Sequence, residues 1–513
     1  MAQRFNLSPK KRALLAGTLL LTSAGFLCRI LGFFYRIFLS RTIGAEGLGL
    51  FNMVHPVYGI CFALCAGSIQ TALSQLIASE NSRGKTIFRT GVTISMSASV
   101  VLAAFITHYA DLIAQRILME PRCAPYIPLM ALSIPFAAFH SCINGYYYGM
   151  QKSKVPAFSQ ITEQLIRMAL VFWIAQMLMQ KGQTITVQLA VVGHLIGEIA
   201  AAIFTFLCLI LIAPQKQCNA SSDSSVSCMQ AFQETAVPLM TLALPLMGNR
   251  LVLNLLSAAE TIWIPNRLQQ FGLSTSEAIS IYGVLTGMAL PFILFPSAIT
   301  NSMAVLLLPS VAQAQAAGQK NHIISSISIS LRYSMYMGIL CIGIFTIFGK
   351  TLGISVFHSS EAGHYMQVLA WLCPFLYLAT TLGSILNGLG NTRTTFFLNT
   401  AALLLRLAFV LIGIPQFGIF AYLCGMLVSE IFLACLNLYV LHRQIPFTWN
   451  AWEMIVKPAG CLWISIGILR FADGILPHSS NIPLFFQAAL QIGGLALCYG
   501  GLLVISTRNV VKS

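Results

Sequence analysis

Apolar runs too long for a soluble core helix recur along the whole chain, and this constrains the fold more than any motif. A membrane-spanning helix needs about 20 mostly apolar residues. Such runs, bounded by polar loops, fall at 13–38, 48–77, 87–107, 124–148, 155–180, 185–213, 236–264, 278–309, 323–348, 365–388, 394–414, 416–441, 451–471 and 482–506. They do not alternate with the period of two that a β-barrel strand would show. Composition agrees: 57% of the 513 residues are hydrophobic and 8% are charged, against roughly 25% charged in a soluble domain. A soluble enzyme and a nucleic-acid-binding module are excluded on that ground. The expected fold class is an all-α integral membrane protein of about 14 transmembrane helices. The first run carries Arg29 and Arg36 and ends without a small-residue cleavage site. It therefore reads as the first span rather than a signal peptide.

An even number of spans puts both termini on one side, and basic residues favour the cytoplasmic loops. With the N-terminus inside, about fifteen bases fall in inner segments, Arg83, Lys152, Lys154, Arg393 and Arg443 among them. About seven fall in outer ones: Arg41, Arg116, Arg122, Lys181, Arg267, Lys350 and Arg470. The bias predicts a multi-pass protein with both termini cytoplasmic.

The longest polar stretch, Pro214 to Glu234, follows six spans, and six more precede Arg443. The chain therefore reads as a six-helix lobe at 1–213, a cytoplasmic linker at 214–235 and a second six-helix lobe at 236–443. Residues 444–513 add spans 13 and 14. Landmarks repeat between the lobes in the same order. Lys152 corresponds to Arg393, Arg167 to Arg406, and Glu198 to Glu430. Lobes with even span numbers share one orientation, and such parallel repeats typically hold a transported substrate between them.

Seven bases lie inside the expected spans: Arg29, Arg36, Arg167, Arg250, Arg332, Arg406 and Lys457. Four acids accompany them: Glu163, Glu198, Glu260 and Glu430. A charge at the bilayer centre costs roughly 2.5–3.5 kcal/mol even on a lenient scale. These residues should therefore face a cavity or a partner. Glu163 and Arg167 are four apart, which suits mutual neutralisation on one helix face as well as a role at a site. Glu198 and Glu430 read as partners for Arg406 or Arg332. Arg36 and Lys457 suit snorkelling to the interface. Arg29 and Arg250 have no acid at helical spacing and read as cavity-facing. The excess of base favours an anionic cargo, because a guanidinium binds phosphate oxygens bidentately. No Walker A motif and no metal-ligand cluster is present, and His55, His140, His194 and His442 read as isolated. No cofactor, metal or catalytic residue is expected. Pro291 and Pro296 with Gly287 should kink the 278–309 span.

Several stretches carry a family resemblance. They include Arg29–Phe33, Arg41–Leu50, Ala72–Ala78, Gly145–Gln151 and Ser159–Arg167. In the second half they are Ile264–Gln269, Tyr282–Pro291 and Pro296–Ser302. In order and spacing the chain resembles the polysaccharide-transporter branch of the multidrug/oligosaccharidyl-lipid/polysaccharide exporter superfamily, which includes lipid II flippases. The resemblance covers the chain to about residue 445. It implies two six-helix lobes around a cationic cavity, with two extra helices forming a groove for a lipid tail. It also implies the cargo, an undecaprenyl-pyrophosphate-linked oligosaccharide or peptidoglycan precursor, for cell-wall or spore-cortex synthesis in a bacterial plasma membrane. Arg29 and Arg267 fall on arginines that related flippases need, while Arg36 matches only approximately.

The function expected is a flippase working by alternating access. Arg29, Arg250 and Arg267 would hold the substrate, with Arg36, Glu163 and Arg167 as further candidates. Its partners would be the lipid-linked anionic glycan, membrane lipid, and Na⁺, H⁺ or the membrane potential as the energy source. A multidrug or cation antiporter of the same superfamily, a membrane glycan polymerase and a non-transporting scaffold are the alternatives.

Overall fold

The computed structural model describes residues 9–80, 83–211, 228–475 and 483–508. Of the expected linker, 214–227 lie outside the described residues, and 228–235 already belong to a helix. The described residues are helical with short connections and contain no strand. Among the described residues, fourteen helical segments are long and apolar enough to cross a membrane.

The first of them, Gly17–Ser79, is 63 residues long and holds two expected spans. It contains α1 (Pro9–Phe62), a π-helical stretch (Ala63–Gly67) and α2 (Ser68–Ser79). Gly44 interrupts α1 at φ 72°, ψ −176°, a backbone region essentially closed to side chains with a Cβ. Conversely, the expected 278–309 span appears as two segments, Thr275–Leu294 and Ser297–Ala316. Phe295 and Pro296 between them keep right-handed helical angles, so the chain bends there instead of turning back. Pro296 has no N–H to continue the ladder.

The chain forms two compact units. One comprises residues 1–35 and 50–266, the other 36–49 and 267–513. These boundaries differ from 213 and 236, because the seventh span packs with the first unit. The longer remaining helices of that unit are α3 (Gly84–His108), α4 (Ile127–Gly149), α5 (Lys154–Gln180), α6 (Gln188–Leu211) and most of α7 (Cys228–Gln270). Leu239 and Ala243 of α7 join Ile69, Leu73, Ile77, Ile87 and Cys142 in one buried cluster. Thr235 and Thr90 share a 2.6 Å hydrogen bond. Small residues bring these backbones together, as is usual between membrane helices. A Cβ on Gly145 would lie 2.8 Å from the Gln70 carbonyl oxygen.

The second unit contains α8 (Thr275–Gly283), α9 (Leu290–Leu294), α10 (Ser297–Ala316) and α11 (Lys320–Phe357). A π-helical stretch, Val284–Ala289, links α8 to α9. There follow α12 (Ser360–Leu369), α13 (Cys373–Gly388), α14 (Thr392–Ala408), α15 (Ile419–Gln444), α16 (Lys457–Ile475) and α17 (Leu484–Arg508). Its core gathers Val311, Ile327, Leu331, Leu382, Leu386, Ala434 and Leu441. The short piece 36–49 of α1 lies against α8, where Gly283 touches the Ala45 carbonyl.

Candidate functional site

Arg29 and Arg36 are seven residues apart on α1 and so lie on one face of the helix. Both side chains are exposed. Arg29 has no hydrogen-bond or ion-pair partner among the described residues. Arg36 Nη1 donates to the Thr286 carbonyl at 3.2 Å. That carbonyl belongs to the π-helical stretch, where the regular helical ladder is interrupted.

Arg250 projects from the middle of α7 toward α2. Its Nη2 donates to Thr71 Oγ1 at 3.0 Å. Gly67 leaves the space the guanidinium occupies, because a Cβ there would collide with Arg250 Nη1. One turn along α7, the Asn254 amide donates to the Gly59 carbonyl at 3.3 Å. Polar groups of α7 thus meet the Thr71 hydroxyl of α2 and the Gly59 backbone of α1.

Arg267 lies in the last turn of α7, not in the outer loop that the span count suggests. The apolar pattern ends at Ile264, but helical backbone continues to Gln270. Its Nη1 donates to Gln270 Oε1 at 2.6 Å, while its Nε is buried without a hydrogen bond. Glu163 and Arg167 form an ion pair on one face of α5. Gly197 on α6 makes room for it: a Cβ there would lie 2.6 Å from Arg167 Nε.

The six candidates therefore sort by their partners. Glu163 and Arg167 neutralise each other. Arg29, Arg36, Arg250 and Arg267 have no carboxylate within ion-pair distance among the described residues. Arg29, Glu163, Arg167 and Arg250 belong to the first unit, and Arg36 and Arg267 to the second.

Other intramembrane charges depart from expectation. Arg332 pairs with Glu453 at 2.9 Å, not with Glu198 or Glu430. Lys457 Nζ donates to the Ser506 carbonyl at 2.7 Å, so its ammonium is held by α17 and does not snorkel. Glu198 is buried and accepts from Tyr58 Oη at 2.8 Å. His140 Nε2 lies 2.8 Å from its other oxygen, and His194 Nε2 lies 3.9 Å from the oxygen that accepts from Tyr58. Three of the four histidines that looked isolated, His55, His140 and His194, converge: the His55 ring lies 5.8 Å from both Tyr58 and His194. Sequence reading missed this cluster, yet it left a trace. His194 and Glu198, and His140 and Asn144, are four apart within apolar spans, the spacing at which helix neighbours meet.

Fourteen apolar helical segments, with arginines inside them that lack acidic partners, define a multi-pass membrane protein built to tolerate positive charge in low dielectric. The chain belongs to the polysaccharide biosynthesis protein family, whose profile matches residues 14–315. It is 26% identical over 494 residues to stage V sporulation protein B of Bacillus subtilis (strain 168), covering 94% of each chain. To the lipid II flippase MurJ of the same organism it is 22% identical over 413 residues, 74% of this chain and 73% of that one. Its fold is similar to that of lipid II flippase MurJ solved in an inward closed conformation. The TM-score is 0.71 at 15% identity, covering 96% of this chain and 100% of the other. The resemblance to the exporter superfamily is borne out.

Proposed function

We propose that this protein is a flippase that carries an undecaprenyl-pyrophosphate-linked glycan, a peptidoglycan-type precursor, from the inner to the outer leaflet of a bacterial plasma membrane. The observation that carries the reading is the set of four arginines without carboxylate partners. Arg250 and Arg267 are half-buried, which is costly for a cation unless compensated. Arg29 and Arg36 are exposed within an apolar span, and a pyrophosphate is the compensation a guanidinium fits best. The named activity of MurJ and the shared fold support the same class of cargo. Arg29, Arg250 and Arg267 hold the pyrophosphate and adjoining sugar. Arg36 extends the Arg29 face, and the Glu163–Arg167 pair lies at the margin. Transport follows alternating access by two six-helix lobes of parallel repeat, with both termini cytoplasmic. The two last spans guide the isoprenoid tail. The protein transports and does not catalyse, and its energy comes from the membrane potential, Na⁺ or H⁺.

A cation antiporter would need free carboxylates in the first unit. There, Glu163 is engaged by Arg167 and Glu198 by Tyr58 and His140. The test is flipping of a fluorescent lipid-linked pyrophosphate glycan by purified protein in liposomes. Arg29→Ala, Arg250→Ala and Arg267→Ala should each slow it by about 10–100-fold, as expected for losing a charged hydrogen bond of about 1.5–3 kcal/mol. Normal flipping by all three would refute the cationic site.

A further inference from the structure

The cluster around Glu198 is more polar than packing requires, and the binding scheme above leaves it unused. The Glu198 side chain is 5% exposed. Groups from four helices surround it. Tyr58 and His55 come from the second half of α1, while Cys28 and Tyr35 on its first half lie near Arg167. His140 and Asn144 come from α4, Glu163 and Arg167 from α5, and His194 from α6 itself. Glu163 is close enough to act electrostatically on both Glu198 and His140. Arg167 lies against Gly197, the residue next to Glu198.

Two carboxylates lie here with one arginine, which pairs with Glu163, and with three imidazoles, of which His140 and His194 lie against Glu198 and His55 against His194. When the imidazoles are neutral, these groups together carry one net negative charge. Such a charge is costly to hold away from water, and one bound proton cancels it. The imidazole–carboxylate pair is suited to take that proton near neutral pH. Asn144 Nδ2 lies 3.4 Å from His140 Nδ1. A side-chain amide serves as donor or acceptor according to its orientation, so it suits either charge state of the ring. Among the described residues no group of three or more His, Cys, Asp or Glu is arranged to hold a metal ion.

The geometry points to a proton-binding site at Glu198 and His140 whose occupancy is coupled to cargo through Arg167. An anionic pyrophosphate that draws Arg167 away from Glu163 leaves a carboxylate uncompensated beside Glu198 and His140. The cluster offsets the positive charge it has lost by taking up one proton from solvent, which His140 and Glu198 then share. No bond other than that to the proton is made. Cargo and proton therefore bind together, and by linkage each strengthens the other. The coupling rests on the flippase reading; the proton site itself does not.

Two measurements separate these. Infrared difference spectra of the purified full chain, titrated without cargo, should show a protonation signal lost in Glu198→Gln. Tyr58→Phe, which keeps the carboxylate but removes its donor, should move that signal to higher pH. An unchanged signal in Glu198→Gln would overturn the site. In weakly buffered detergent solution, undecaprenyl pyrophosphate should drive uptake of about one proton per chain, and its affinity should change by up to about tenfold per pH unit. In Glu198→Gln binding should persist with both effects gone. Uptake that persists in Glu198→Gln overturns the coupling. A titrating Glu198 in a protein that does not bind the probe overturns the flippase reading and leaves the proton site standing.

Discussion

At the scale of single residues, intramembrane arginines are visible in any sequence, but the residues that make room for them are not. Arg250 stands out as the single base of an apolar span, 236–264. Gly67 does not stand out, although the guanidinium fits only because position 67 has no Cβ. Gly67→Ala should displace Arg250 and slow flipping nearly as much as Arg250→Ala. The double variant should be no slower than Arg250→Ala, the non-additivity expected of residues acting through one contact. Independent, additive losses would show that Gly67 serves α2 and not the arginine. Arg41 illustrates a base whose role is structural. Its Nε and Nη2 donate to the carbonyls of Val356 and Ser355 at 2.8 and 3.1 Å. These lie in the last turn of α11, where the helix dipole favours a cation. Arg41→Ala should lower stability by about 1 kcal/mol, read as a reduced unfolding midpoint in detergent, and Arg41→Lys should recover part of it.

Among the elements, hydropathy located spans well because the length a bilayer demands does not depend on neighbours. Breaks within elements were less legible. The bend near Pro296 was anticipated from proline chemistry, whereas the π-helical stretches at Ala63–Gly67 and Val284–Ala289 carry no comparable sequence signal. The turn at Gly44 lay in the gap between the expected spans 13–38 and 48–77, but its backbone angles belong to tertiary packing. Gly44→Ala should cost about 1–3 kcal/mol of backbone strain, measured as loss of unfolding free energy, with no change if the chain relaxes by another route. The C-terminal helices show how an added element is seated. Tyr499 Oη donates to the Tyr336 carbonyl at 3.0 Å, Arg332 holds Glu453, and Gly343 receives Leu462, whose Cδ1 lies 2.6 Å from where a Cβ would be. Gly343→Val should push α16 off α11. If α16 and α17 guide the lipid tail, that variant should slow flipping of a long-chain substrate more than of a short-chain analogue. Equal slowing of both would separate these helices from tail handling.

For the molecule as a whole, net charge was a poor guide and the placement of charge a good one. The formal +15 mixes loop bases that set orientation with arginines inside the spans. Counting bases against acids pointed to an anionic cargo, but it assigned Arg332 and Glu198 to wrong partners. Pairing depends on which helices meet, and neither helix spacing nor composition encodes that. The division into units escaped for the same reason: polarity marks a linker, whereas contacts place α7 with the first unit. Energetics also belongs to this scale. Over a complete cycle the arginines return to where they began, so only cargo and coupled ions move charge across the membrane. A pyrophosphate of about two negative charges crossing outward gains about 4–5 kcal/mol at 100 mV inside-negative, whereas one accompanied by a proton gains about half of that. The final leaflet ratio of a fluorescent pyrophosphate-linked glycan in liposomes, measured against a potassium-valinomycin potential, should thus change about tenfold per 60 mV in the wild type. Glu198→Gln, which cannot carry the proton, should change it about a hundredfold over the same step. A ratio insensitive to potential in both would rule out electrogenic flipping, and equal slopes in both would sever Glu198 from the transport cycle.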